Sequence, residues 1–302
     1  MKTKIVYCMP LLLALAIGQA LADTPINLTA AARPNAHISI DNVKGEVTVT
    51  AWDKPQVEVS GSLGSGARPL KIEGDDRDLD IKVSGSENGN WFNWKSDNRM
   101  GSTVLNVRVP KGVSLDINVV SAPVTIDGLD GGKVDVQSVS GRVRMNARTS
   151  GINLNTVSGS IELGGHAGDA ELQTVSGDIT APSVGSMLKA ETVSGHMNIN
   201  GGPYRKAELS TVSGDLQLGG GIEGDGIITI DSMSGDVQVA VPANLSAKIT
   251  ANTFSGQLRS DFGEATKGED GPGSELNATA GSGRGKLHVE TFSGDLKIRK
   301  GQ

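Results

Sequence analysis

Eight of the chain's Ser-Gly pairs recur at a nearly regular step, and the residue after each of these forms a mixed series: Arg142, Ser160, Asp178, His196, Asp215, Asp236, Gln257 and Asp295. Asp215 and Asp236 have the widest chemical scope. If successive units stack at the spacing of neighbouring strands, these carboxylates stand about 5 Å apart. A pair that close binds Ca²⁺ or shares a proton. Aspartate is equally an ordinary turn residue, so a solvated corner is the plainer expectation. The second candidate is an insertion from Ser84 to Ser102, holding Asn90, Trp91, Phe92, Asn93 and Trp94 in a Gly-, Asn- and Ser-rich setting. Exposed indoles beside asparagines suit stacking on sugar rings or anchoring in a protein partner. The alternative is that these rings fold back and plug a thin core.

Other constellations carry less. A serine repeated at every corner has a structural task in each unit, and no Gly-x-Ser-x-Gly elbow occurs. The four histidines, His37, His166, His196 and His288, lie in separate units without ligand spacing. Asp76-x-Asp78-x-Asp80 resembles the start of a calcium loop, but Ile81 stands where glycine is required. No cofactor is expected, and the pattern is not that of an enzyme.

The elements that position these residues follow from the period. Val139, Val157, Val175, Val193, Val212, Met233, Phe254 and Phe292 each precede a Ser-Gly pair, at steps of 18, 18, 18, 19, 21, 21 and 38 residues. A period near 20 signals stacked supersecondary units, none able to bury its apolar face alone. Segments such as Ile152-Asn153-Leu154-Asn155-Thr156 and Leu287-His288-Val289-Glu290-Thr291 alternate apolar with polar, the period of a half-buried strand. Glycine at 41 of 302 residues supplies corners, and 3% aromatics implies a thin aliphatic core. The expectation is an all-β, single-stack β-solenoid of short rungs of about 18–21 residues, with a less regular N-terminal β cap. The apolar residue before Ser-Gly is expected in the core, so Val193→Asp should unfold the protein. The Thr/Ser column one residue earlier is expected at the bend, bonding neighbouring rungs.

Residues 1–22 read as a signal peptide: Lys2 and Lys4, an apolar run from Ile5 to Ile17 broken by Pro10, then Ala20-Leu21-Ala22. Residues 23–110 read as the irregular N-terminal cap with the aromatic insertion at 84–102. Residues 111–302 read as the regular solenoid, with a mobile loop insertion at 260–285. The single cysteine, Cys8, falls in the leader, so the mature chain has neither disulfide nor thiolate chemistry. Without Lys2 and Lys4 the 28 basic residues become 26 against 34 acidic ones, a net charge of −8. That balance argues against nucleic acid as a partner. No further apolar segment of spanning length follows the leader. Export to the periplasm is expected, with the cell surface or secretion as alternatives.

Repeated Thr-Val-Ser-Gly-Asp phrases after a leader resemble the bacterial putative-adhesin β-strand-repeat family, a domain of unknown function. So do Ala251-Asn252-Thr253-Phe254-Ser255-Gly256 and the ending from Gly285 to Ile298. The resemblance spans about residues 36 to 300. It implies a β-solenoid in the cell envelope and brings no catalytic residues. The leading functional expectation is an adhesin-like binding module for an envelope polysaccharide or envelope protein. A scaffold assembling through solenoid edges is the alternative, and a polysaccharide lyase or hydrolase a remote one.

Overall fold

In the computed structural model, which describes residues 24–85, 100–267 and 272–301, the described residues form an all-β solenoid without a helix. Seven strands precede the regular stack: β1 (Thr24–Ala31), β2 (His37–Trp52), β3 (Gln56–Leu63), β4 (Ile72–Gly74), β5 (Asp78–Lys82), β6 (Thr103–Pro110) and β7 (Ser114–Ser121). Six long strands follow: β8 (Val124–Ser140), β9 (Val143–Ser158), β10 (Ile161–Ser176), β11 (Ile179–Ser194), β12 (Met197–Ser213) and β13 (Leu216–Ser234). The chain ends with β14 (Val237–Pro242), β15 (Ala247–Ser255), β16 (Leu258–Ser260), β17 (Thr266–Lys267), β18 (Ser274–Ala280), β19 (Gly285–Ser293) and β20 (Leu296–Gly301).

Each long strand contributes to two walls. In β10 the stretch from Ile161 to Gly165 lies in one wall, and Asp169 to Ser176 lies in the other. Parallel pairing carries both walls from β8 to β13 in register, Val143 on Ile161 on Ile179 and Leu154 on Leu172 on Ala190. Inward residues of the two walls, such as Met145, Leu154, Ile161 and Leu172, meet in a core of buried aliphatics. Rungs about 4.8 Å apart leave little height per layer, so β-branched and small aliphatic side chains fill it better than rings.

Tyr204 is the exception. Its ring is wholly buried, and its hydroxyl donates to the Gly219 carbonyl at 3.2 Å. Burial pushes the phenol far above its usual range. Gly220 makes room: a Cβ there would stand 2.8 Å from the ring. Tyr204→Phe is expected to cost about 1 kcal/mol in denaturant unfolding, and Tyr204→Ala about 3–5 kcal/mol through the cavity left.

Corners are tighter still. Gly195 (φ 153°) and Gly214 (φ 134°) adopt backbone that L side chains avoid, and a Cβ on either would lie 2.0 Å from the carbonyl oxygen of the corner glycine one level below. The corner glycine is therefore demanded twice, by conformation and by the neighbouring rung.

Stack order departs from chain order at both ends. β2 lies between the level of β5 and β6 and the level of β7 and β8. β19 lies between β13 and β15, and β20 between β14 and β16. The last Ser-Gly unit in sequence is thus the second-to-last level in space. Both ends of the stack carry antiparallel strands. β4 covers β5, and β3 covers β6 and is backed by β1. At the other end β18 covers β15 and is backed by β17. The segment 260–285, expected as a mobile loop, therefore supplies a terminal strand that occupies an otherwise open edge. Such covering works against end-to-end stacking through these edges.

Candidate functional site

The corner series is a ladder. Its sequence-selected pair, Asp215 and Asp236, stands on adjacent levels: the Asp236 N–H donates to Asp215 Oδ1 at 3.0 Å, and the Asp295 N–H to Asp236 Oδ1 at 2.9 Å. Below them, the His196 N–H donates to Asp178 Oδ1 at 2.9 Å and the Asp215 N–H to His196 Nδ1 at 3.3 Å. Above them, the Gln257 N–H donates to Asp295 Oδ1 at 2.9 Å. Each acceptor satisfies a corner N–H of the next rung, which is why aspartate recurs after glycine.

Among the described residues no three His, Cys, Asp or Glu groups gather to hold a metal ion. Asp236→Ala is expected to lower stability by about 1 kcal/mol in calcium-free buffer, because the Asp295 N–H loses its acceptor. A melting temperature of the unaltered protein that climbs with added calcium would instead give the Asp215–Asp236 pair to a cation. The other sequence-selected group, Asn90, Trp91, Phe92, Asn93 and Trp94, lies outside the described residues. Its described flanks are Gly85, bridged to Ala67, and Met100, which is buried.

The site that the sequence reading missed lies on the wall before the corners. In β9, Ile152, Leu154 and Thr156 point inward, so Asn153, Asn155 and Val157 point out. The same parity holds on every level. The Thr/Ser column is buried, and the apolar residue after it is exposed: Val193 keeps 47% of its surface. This corrects two expectations: the apolar residue before Ser-Gly lies outside the core, and the Thr/Ser column lies inside it rather than at the bend. On three levels the threonine hydroxyl in this last inward place reaches a corner carbonyl one level below. Thr174 donates to Gly159 O at 3.2 Å, Thr192 to Gly177 O at 3.5 Å and Thr253 to Gly294 O at 3.2 Å. The partner of Thr253 is Gly294 because β19 separates it from Gly235.

The outward side chains build a ridge. In spatial order it runs Val139, Val157, Val175, Val193, Val212, Met233, Phe292, Phe254, all exposed. Beside it, two residues earlier on each strand, runs a polar column whose members include Asn118, Gln137, Asn155, Gln173 and Glu191, then Ser210, Asp231, Glu290 and Asn252. Ridge and column border two grooves that share Ser210 and Val212, of about 1040 Å³ on the N-terminal side and 670 Å³ on the C-terminal side.

The polar column changes character along its length. Near β7, Asn118 bridges Asp116 at 3.0 Å and Asp41 at 3.2 Å, while burial and then the Asp135 charge raise the Asp116 carboxyl above its usual range. Near β19, partial burial and then the Glu290 charge raise Asp231 likewise, against the opposing pull of His288. Geometry of this kind offers shallow, repeated contact along one line.

A model of the Toastrack DUF4097 family matches residues 35–299. The chain belongs to that family. Toastrack domains are solenoid-like, and the corner phrases that suggested an adhesin-type repeat domain of unknown function fall within the matched span. No curated protein matches the chain. Among solved structures, a "putative adhesin" from Parabacteroides distasonis is 12% identical with a TM-score of 0.47, over 91% of this Toastrack chain and 97% of that one. A "putative adhesin" from Parabacteroides merdae is 12% identical with a TM-score of 0.46, over 92% and 99%. One from Bacteroides fragilis is 13% identical with a TM-score of 0.43, over 92% and 98%.

Proposed function

We propose that this chain is an exported, non-enzymatic repeat protein of the cell envelope that binds an elongated envelope polymer or protein along its ridge. The observation that carries the reading is the line of exposed apolar side chains, one per level, bordering two grooves that meet at Ser210 and Val212. The apolar residue is exposed on every one of these levels, valine on five and then Met233, Phe292 and Phe254, although the same strands bury their own apolar set inward. A single contact per level is weak, and eight in a row add up when the ligand is long and the wall rigid. The lysine-flanked apolar leader at residues 1–22 supports export, with the periplasm as the first compartment to examine.

The test is retention of purified mature protein on isolated peptidoglycan, outer membrane and capsule. Two variants are run beside it: Val157→Ser/Val175→Ser/Val193→Ser on the ridge, and Trp91→Ala/Trp94→Ala in the insertion. Retention is expected for the unaltered protein and should fall about tenfold or more in the ridge variant. Loss only in the tryptophan variant would move the site to the insertion. Equal retention of all three, or of none, would remove the ridge as the binding surface.

A further inference from the structure

We infer that the C-terminal end of the groove is a notch for a cationic, apolar peptide segment of a partner protein; the inference rests on the groove being the binding surface. On three consecutive levels the ridge changes from valine to Met233, Phe292 and Phe254, with 59%, 57% and 48% of their surfaces exposed. The two rings stack nearly parallel, with centroids 4.9 Å apart and 6° between their planes. They are neighbours only because β19 inserts between β13 and β15.

Beside the rings the polar column reads Asp231, Glu290, Asn252 and Glu275 on successive strands. Three of these four are carboxylates, and no lysine or arginine is among the described residues lining this end of the groove. The basic side chain nearest the carboxylates is His288, whose Nε2 lies 3.1 Å from Glu290 Oε1 on the strand's outer face. Asp231 already feels Glu290 as an unfavourable neighbour, which an arriving positive charge would relieve.

A lysine or arginine fits this combination in both parts. Its aliphatic stem covers the phenyl faces, its charged head meets the carboxylates, and an adjacent apolar side chain takes the Met233 surface. A neutral glycan fits less well. It would want stacking rings and several amide hydrogen bonds together, whereas Asn252 is the one amide lining this end and the amides Gln137, Asn155 and Gln173 lie at the other end of the groove, beside valines. A polyanion would be repelled by the carboxylates.

The probe is a fluorescent peptide of alternating lysine and valine, with a glutamate–valine peptide as its counterpart. Binding to the full mature chain is followed by anisotropy at low and high salt. The lysine peptide should bind, weaken with salt, and lose about tenfold or more in affinity in Phe254→Ser/Phe292→Ser and in Asp231→Asn/Glu290→Gln. Thr180→Ala, exposed on the wall away from the ridge, should bind it as the unaltered protein does, and Val139→Ser/Val157→Ser is run to test whether the peptide sits at the other end of the ridge. All these side chains are exposed, so melting temperatures should stay close to that of the unaltered chain, and the salt response of that chain gives a reading that needs no variant.

Equal binding of the two peptides, or full affinity in the carboxylate variant, overturns the notch. So does a soluble neutral β-glucan that binds where the lysine peptide does not. Loss of peptide binding in the valine variant alone places the peptide elsewhere on the ridge and also overturns it. Failure here with envelope retention intact leaves the groove reading standing. Absence of retention for the unaltered protein removes that reading independently.

Discussion

Leu172→Asp is expected to leave the protein unfolded at room temperature, while Val193→Asp, one rung away, shifts stability by no more than about 0.5 kcal/mol. Leu172 has no exposed surface and sits between the two walls, with Leu154 and Ala190 directly below and above it. A carboxylate there has neither solvent nor a cation, and the desolvation cost of several kcal/mol is comparable with the whole stability of a domain. Val193 is nearly half exposed, so aspartate in its place remains hydrated. Circular dichroism with urea titration separates the two cases. An unfolded Val193→Asp beside a folded Leu172→Asp would invert the assignment of faces and with it the ridge.

The second large effect is expected at a corner. Gly214→Ala should destabilise by about 3 kcal/mol or more, because a Cβ 2.0 Å from the Gly195 carbonyl forces adjacent rungs apart and the backbone sits at φ 134°. Gly224→Ala is the control. Its φ of 56° brings strain of about 1 kcal/mol, but nothing lies within 4 Å of the added carbon. The difference between the two melting temperatures therefore reports the rung-to-rung contact together with the greater strain of an L residue at φ 134°. Equal losses at both positions would mean that conformation, and not stacking, selects glycine at the corners.

Much of the architecture is legible from local pattern. The Ser-Gly period and the strand alternation imply stacked rungs because both are properties of neighbouring residues: a glycine corner needs its own backbone angles, and period-two alternation needs one wet and one dry face. The orientation of the ridge was legible too. In Ile152-Asn153-Leu154-Asn155-Thr156-Val157 the threonine falls in phase with isoleucine and leucine, so the valine must face outward. Hydropathy of the single residue misleads there, and the parity of the strand decides.

Along the corner ladder, sequence placed Asp215 and Asp236 close together, as a repeated offset must once the rungs stack. That their oxygens accept N–H groups of the next rung is a matter of corner geometry, which composition does not carry.

What sequence alone determined is the repeat, the strand content and the membership that its corner phrases signal. What only the tertiary structure decided is the order of the levels. β19 pairs with both β13 and β15, and β2 with both β5 and β7, because parallel pairing depends on which edge is open when the chain returns, not on distance along it. Every rung carries nearly the same pattern, so no residue records its neighbour above or below. That choice brings Phe292 against Phe254 and sets Asp231 beside Glu290, and with them the chemistry of the groove's end.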